Sequence, residues 1–262
     1  MSILQLSTAE FEKLLLLMLR LGGIMSVAPI FGHRNIPTML KIGLVILTGL
    51  IVLPTLSGTT IKIPSDLPGL VVMLFKEIVA GLAIGFSSMM IFIAVQFAGT
   101  LIGLQMGFGI VNVIDPNSQL EVPIIGQFQL LLATLIFLAL DGHHMVLSAV
   151  VSSVKVIPLG SVDFSAASGE LILRAGMNTL ASGIKLGAPC MVTLFLVDVA
   201  MGVVARTMPQ MNVFIVGFPL KIATGFVMIA ASLPLFGYVF AKLLMGLDNN
   251  LNALILAMRP IP

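Results

Sequence analysis

The chain has 262 residues, of which 58% are hydrophobic and 9% charged, with a net charge of +2 and a mean hydropathy of +1.16. Ordinary soluble domains carry about 25% charged residues, so this composition excludes a soluble domain and points to lipid, or to burial against protein. So small a net charge, with no charge run reaching four residues, leaves no basic face for nucleic acid.

The N-terminal stretch places Glu10 and Glu12 ahead of Lys13 and has no small-residue cleavage site. It reads as a retained hydrophobic helix over 14–31, not a cleavable signal. Further apolar segments follow at 42–56, 67–104, 124–140, 145–157, 186–205, 222–240 and 243–258. A spanning helix needs about 20 residues. Several of these are shorter, while 67–104 is too long for one simple span and is expected to bend or to run past the bilayer. Pro29, Pro37, Pro54, Pro64 and Pro68 delimit the first two helices, and polar connectors fall at 33–41, 57–69 and 156–170. No strand pattern or internal repeat competes. The expected fold is all-α, with membrane-type helical hairpins and broken or re-entrant helices, in a single domain over 1–262.

Two absences qualify a simple serpentine arrangement. Lys and Arg fall in nearly every connector except 105–123 and 141–144, so no alternating bias sets an orientation. There is no Trp and one Tyr, Tyr238, against sixteen Phe. Without an aromatic belt at the lipid interface, much of the surface is expected to meet partner protein.

Several patterns carry chemistry. Gly81 and Gly85 follow Glu77 at four-residue spacing, and Gly99, Gly103 and Gly107 repeat it, as do Gly183 and Gly187. Such glycines share a helix face and let another backbone approach, either within the chain or between subunits. Arg20, Lys76, Glu77, Asp141, Lys185, Asp198 and Arg206 lie in or beside apolar helices and are expected to be buried, so each needs a partner or water. Lys76 and Glu77, being adjacent, cannot serve each other. A proton or ion pathway is the functional rival to simple pairing. Asp141, His143 and His144 read as a polar turn around Gly142, because neighbouring histidines are poorly placed to share one ion. Neither a metal nor another cofactor is expected. Cys190 is the only cysteine and reads as a small buried apolar residue. No nucleophile elbow, zinc-protease helix or phosphate-binding lysine motif occurs, so no enzymatic activity is expected.

Two segments resist a simple helical reading. In 205–225, Pro209 and Pro219 bracket Gln210, Asn212 and Gly217 around an apolar core too short to span, which suggests a re-entrant or broken helix lining a cavity or docking a partner. A secondary transporter with a broken-helix site at 209–219 is the alternative function, although the inverted repeats it requires are not found. The other segment, QMGFGIVNVIDPNSQLEVP over 105–123, is polar, punctuated by glycine and longer than a tether needs to be.

Together, LRLGGIMSVAPIFG (19–32), KEIVAGLAIGF (76–86), AGTLIGLQMGFG (98–109) with Asp115 and Pro116, FLALDGHHMVL (137–147) and above all MPQMNVFIVGFPLKI (208–222) resemble the FliR/SctT/SpaR family of type III export apparatus proteins. The matching motifs run in order along nearly the whole chain. The resemblance implies a non-catalytic component of the flagellar export gate in the bacterial inner membrane and flagellar basal body. One copy would close a ring of FliP, with FliQ packed outside and with FlhB and FlhA associated. Unfolded flagellar subunits would pass through the centre. It also implies that 105–123 helps plug the closed pore. Within that segment Met106, Phe108, Ile110, Val111, Val113 and Ile114 are expected to fill the lumen. Gly107 and Gly109 would allow the irregular backbone, and Asp115 and Pro116 the turn. Gly81, Gly85, Gly99, Gly103, Pro209, Gln210, Asn212, Phe214 and Pro219 are the expected subunit-packing positions.

Overall fold

The computed structural model describes residues 8–56, 61, 63–109 and 123–260. Seven α-helices occur among them: α1 (Thr8–Val27), α2 (Thr38–Val52), α3 (Leu67–Met106), α4 (Ile124–Ala139), α5 (Gly142–Val156), α6 (Ala166–Thr207) and α7 (Val213–Ala257). A single 3₁₀ turn, Leu53–Leu56, follows α2. No strand occurs among the described residues.

Local chemistry sets several boundaries. Helix α1 stops just before Pro29, which disfavours helical backbone in the residue ahead of it. The Asp66 carboxylate accepts the Gly69 N–H at 2.8 Å, capping α3. Ser165 accepts the Ser168 N–H at 3.4 Å ahead of α6, and the Asn212 Oδ1 accepts the N–H groups of Phe214 and Ile215 ahead of α7. Between α4 and α5 the chain breaks at Asp141, which takes a left-handed conformation with φ 55°.

Helices α3, α6 and α7 have 40, 42 and 45 residues. At 1.5 Å per residue each is about 60 Å or longer, twice the hydrocarbon thickness of a bilayer. Segment 67–104 is therefore one unbroken helix, long enough to run past a bilayer. Four stretches, Thr38–Leu56 and helices α3, α6 and α7, are long and apolar enough to cross a membrane, or five if the broken pair α4–α5 counts as one.

Two helices differ from their expected extent. Helix α6 begins at Ala166, twenty residues ahead of the apolar run, because Ala166–Lys185 is helical despite Gly169, Gly176 and Gly183. Helix α7 is continuous from Val213, with Pro219 and Pro234 inside it. Pro219 removes one backbone donor but does not end the helix. Only Met208–Asn212 separates α6 from α7, so 209–219 is a tight corner and a helix start, not a re-entrant excursion. A broken-helix transporter site there lacks the unwound backbone it would need.

The chain forms two compact units, the first from Met1–Met90, Asp141–Gly176 and Leu244–Pro262, the second from Ile91–Leu140 and Met177–Leu243. The buried set of the first includes Leu17, Leu21, Ile24, Ala80, Ile84, Val150 and Ile157. Leu14, Leu17, Leu21 and Ile24 recur at helical spacing and so share one face of α1. The second contains Phe92 packed edge-to-face on Phe137 and on Phe240, with centroids 5.2 and 5.8 Å apart, a geometry the ring quadrupoles favour.

Candidate functional site

The first described turn of segment 105–123 closes α3 with a Schellman motif. Phe108 N–H donates to the Gly103 carbonyl and Gly107 N–H to the Leu104 carbonyl, each at 3.1 Å, the paired bonds of that cap. Gly107 takes φ 95°, which a residue with a Cβ adopts only under strain. A Cβ there would also lie 2.6 Å from the Phe218 ring of α7. Two independent constraints thus select glycine at 107.

The end of α3 is fastened by packing. Met106 is fully buried in an apolar cluster of Ile102, Ile125, Cys190, Leu194 and Ile229, against which Phe108 and Ile222 pack. Gly225 on α7 leaves room for it, since a Cβ at 225 would meet the Met106 sulfur at 2.6 Å. Met106, expected to fill a lumen, is therefore a core residue of its own unit. Phe108 and Gly109 are half-buried, while Ile110, Val111, Val113, Ile114, Asp115 and Pro116 lie outside the described residues. The two segments that resisted a helical reading thus converge: the start of 105–123, at Met106 and Gly107, is seated on the start of α7. Phe218 and Gly225, which sequence reasoning missed, form the seat. Their signal was the apolar run after Pro219, with its glycine at a helical interval from Phe218.

Beside this seat, Lys221 of α7 forms an ion pair with Asp198 of α6, the side chains 20% and 43% exposed. Both border an open, mostly apolar cavity of about 200 Å³, also lined by Met201, Ala205, Phe214 and Phe218. Phe214 stacks on Phe218 with centroids 6.0 Å apart. Pro209, Gln210, Asn212 and Pro219 are exposed.

The first unit holds the other charge pair. Arg20 and Glu77 are both fully buried. The guanidinium donates Nε–H to Glu77 Oε2 at 2.6 Å and Nη2–H to Oε1 at 3.0 Å, a bidentate fork. Its Nη1 donates to the Ser153 and Ile157 carbonyls at the C-terminal end of α5, at 3.0 and 2.9 Å. Glu77 Oε1 also accepts the Gly160 N–H at 2.7 Å. Glycine makes the fork reachable. On the face of α3 that carries Glu77, a Cβ at Gly81 would overlap the Arg20 carbonyl oxygen, and one at Gly85 would lie 2.6 Å from the Ile24 carbonyl oxygen. The approach of α1 that these glycines permit lays the guanidinium over the carboxylate.

The remaining expectations divide. Gly81 and Gly85 lie against α1, and Gly99 against Gly126 of α4, so these close approaches are made within the chain and not presented to another subunit. At Gly103 the nearest neighbour is Ile125, at ordinary contact distance. Of the seven charges expected to be buried, only Arg20 and Glu77 are. Lys76 is half-buried; Lys185, Asp198 and Arg206 are exposed because they occupy helix faces that this chain does not cover, and Asp141 is exposed in the turn between α4 and α5. Lys76, Lys185 and Arg206 make no ion pair among the described residues. Asp141 lies 3.4 Å from His144 Nδ1.

Residues 11–247 match a family described as bacterial export proteins, family 1. The chain is 36% identical over 223 residues to the flagellar biosynthetic protein FliR of Bacillus subtilis (strain 168), covering 84% of this chain and 85% of that protein. It is 31% identical to the protein of the same name from Escherichia coli (strain K12), covering 83% of each, and 33% identical to that of Pectobacterium carotovorum subsp. carotovorum, covering 82% of each. The match extends over the α1–α3 charge fork, the capped end of α3 and the α6–α7 corner together, and the chain belongs to the family 1 bacterial export proteins.

Proposed function

We propose that this chain is a membrane-integral component of the bacterial flagellar protein export apparatus, without catalytic activity of its own. The observation that carries the reading is the family match over 11–247 in a chain with four stretches long and apolar enough to cross a membrane. In the finer reading, one copy joins FliP and FliQ in a channel through the inner membrane at the flagellar basal body, with FlhB and FlhA as neighbours and unfolded flagellar subunits as cargo. The many large apolar side chains exposed on α2, α6 and α7, among them Met39, Phe195 and Phe214, support a surface covered by lipid and partner protein.

Segment 105–123 is the plug of the closed channel in this reading. Met106 anchors it, and the apolar residues from Phe108 to Ile114 make the seal, since hydrophobic constrictions exclude ions and water by dewetting. Replacing 110–121 with a Gly–Ser stretch of equal length is expected to leave co-purification with FliP-like and FliQ-like partners intact while making cells leak small ions. Unchanged ion permeability in a correctly assembled complex overturns the plug. Failure of the native chain to leave the membrane with such partners overturns the assembly.

A further inference from the structure

The turn between α4 and α5 brings together three side chains that the export reading does not use. Asp141, His143 and His144 each offer a ligand atom, and these atoms all lie within 4.8 Å of one another. The two imidazole rings, on adjacent residues, are 4.2 Å apart and tilted by 36°. Adjacent histidines are poorly placed to share one ion on a regular helix, yet at this helix start their ligand atoms lie close together. Asp141 Oδ1 and His144 Nδ1 are 3.4 Å apart. That is long for a hydrogen bond, but it is about the edge of a tetrahedron with metal–ligand bonds of about 2.1 Å. Among the described residues, His143 Nδ1 is buried without a hydrogen-bond partner, a state that costs free energy unless something binds the nitrogen. The side chains of Asp141 and His144 are 73% and 68% exposed, so an ion can enter and keep water in a remaining position.

We propose that Asp141, His143 and His144 form an open binding site for one divalent transition-metal ion. Two imidazoles and one carboxylate select ions of the zinc, nickel, cobalt and copper class over magnesium or calcium, which prefer oxygen ligands throughout. With three protein ligands the site is incomplete as a structural zinc centre, and its fourth position goes to water or to an exogenous ligand.

The test is a Co²⁺ titration of the full chain, solubilised in detergent and free of any polyhistidine tag, read by visible absorption. One Co²⁺ per chain, displaced by Zn²⁺, is expected. His143→Ala and His144→Ala should each weaken binding at least about tenfold, since even partners outside the ligand shell are worth 10- to 100-fold. Asp141→Asn, which keeps the left-handed turn accessible, should also weaken it. His33→Ala, outside the cluster, should not. Absence of saturable Co²⁺ binding to the monodisperse native chain overturns the site, as does native-like affinity in both histidine variants. Because the readout is metal binding alone, it is independent of whether the chain serves flagellar export.

Discussion

Arg20 with Glu77 and Lys221 with Asp198 are the same chemistry in opposite surroundings. In the first unit both partners are fully buried, the guanidinium reaches four acceptor contacts, and the carboxylate also holds a backbone N–H. In the second unit the partners are 20% and 43% exposed and border an open apolar cavity. A buried pair is tolerated only when nearly every polar atom is satisfied, because desolvation otherwise exceeds the Coulomb gain. A half-exposed pair makes no such demand, since water does part of the work. The comparison separates a charge that organises the chain's own helices from one left at a surface.

The largest effect should come from unbalancing the buried pair. Glu77→Gln leaves the Arg20 guanidinium buried without a counter-charge and is expected to destabilise the chain by about 3–5 kcal/mol. With no Trp available, the temperature at which the detergent-solubilised chain loses monodispersity is a suitable readout. Replacing both partners, as Arg20→Met with Glu77→Leu, should be less damaging than Glu77→Gln, because an apolar pair needs no partner. A double variant as unstable as the single one would mean that the carbonyls of Ser153 and Ile157 depend on the guanidinium as much as Glu77 does.

The second unit is sensitive at Gly107, where a left-handed backbone and a close ring contact coincide. Gly107→Ala should cost about 1–2 kcal/mol for the left-handed backbone, with a further penalty from the Phe218 ring 2.6 Å from the new Cβ. Cys190 is the only cysteine and is buried in the same cluster as Met106, so the temperature dependence of its labelling by a maleimide dye reports the loss. Adding Phe218→Leu should recover the steric part and leave the backbone part. Full recovery would mean that φ at 107 contributes nothing.

How much of this was legible in the sequence follows from the range of each interaction. Helix existence was readable because apolar runs and prolines are local signals, and the 67–104 segment became α3 almost unchanged. The first twenty residues of α6 were not readable, since their polarity and glycines resemble a loop and only the continuous helix reveals otherwise. Glu77, Gly81 and Gly85 could be placed on one face by spacing alone. That their partner is Arg20, fifty-seven residues away, could not, because a partner on another helix leaves no periodic mark. Asp198 was recognised as needing a counter-charge, yet Lys221 was overlooked although it too stands alone in an apolar run. Glycine at 107 was expected for an irregular backbone, but the seat formed by Phe218 and Gly225 depends on how α7 lies against α3.

The smallest effect is the most informative about the surface. In the solubilised chain on its own, Lys221→Met should cost less than about 1 kcal/mol, because Asp198 can turn to water. The same substitution should cost more wherever partner protein covers the cavity, since Asp198 would then be enclosed without a counter-charge, a situation worth about 3–5 kcal/mol when complete. Measuring the shift in Cys190 labelling for the free chain and for the chain with any partners that co-purify compares the two conditions directly. A larger shift in the assembly makes the Asp198–Lys221 face an interface. Equal small shifts leave it open to solvent and confine the contrast with Arg20 and Glu77 to the chain's own fold.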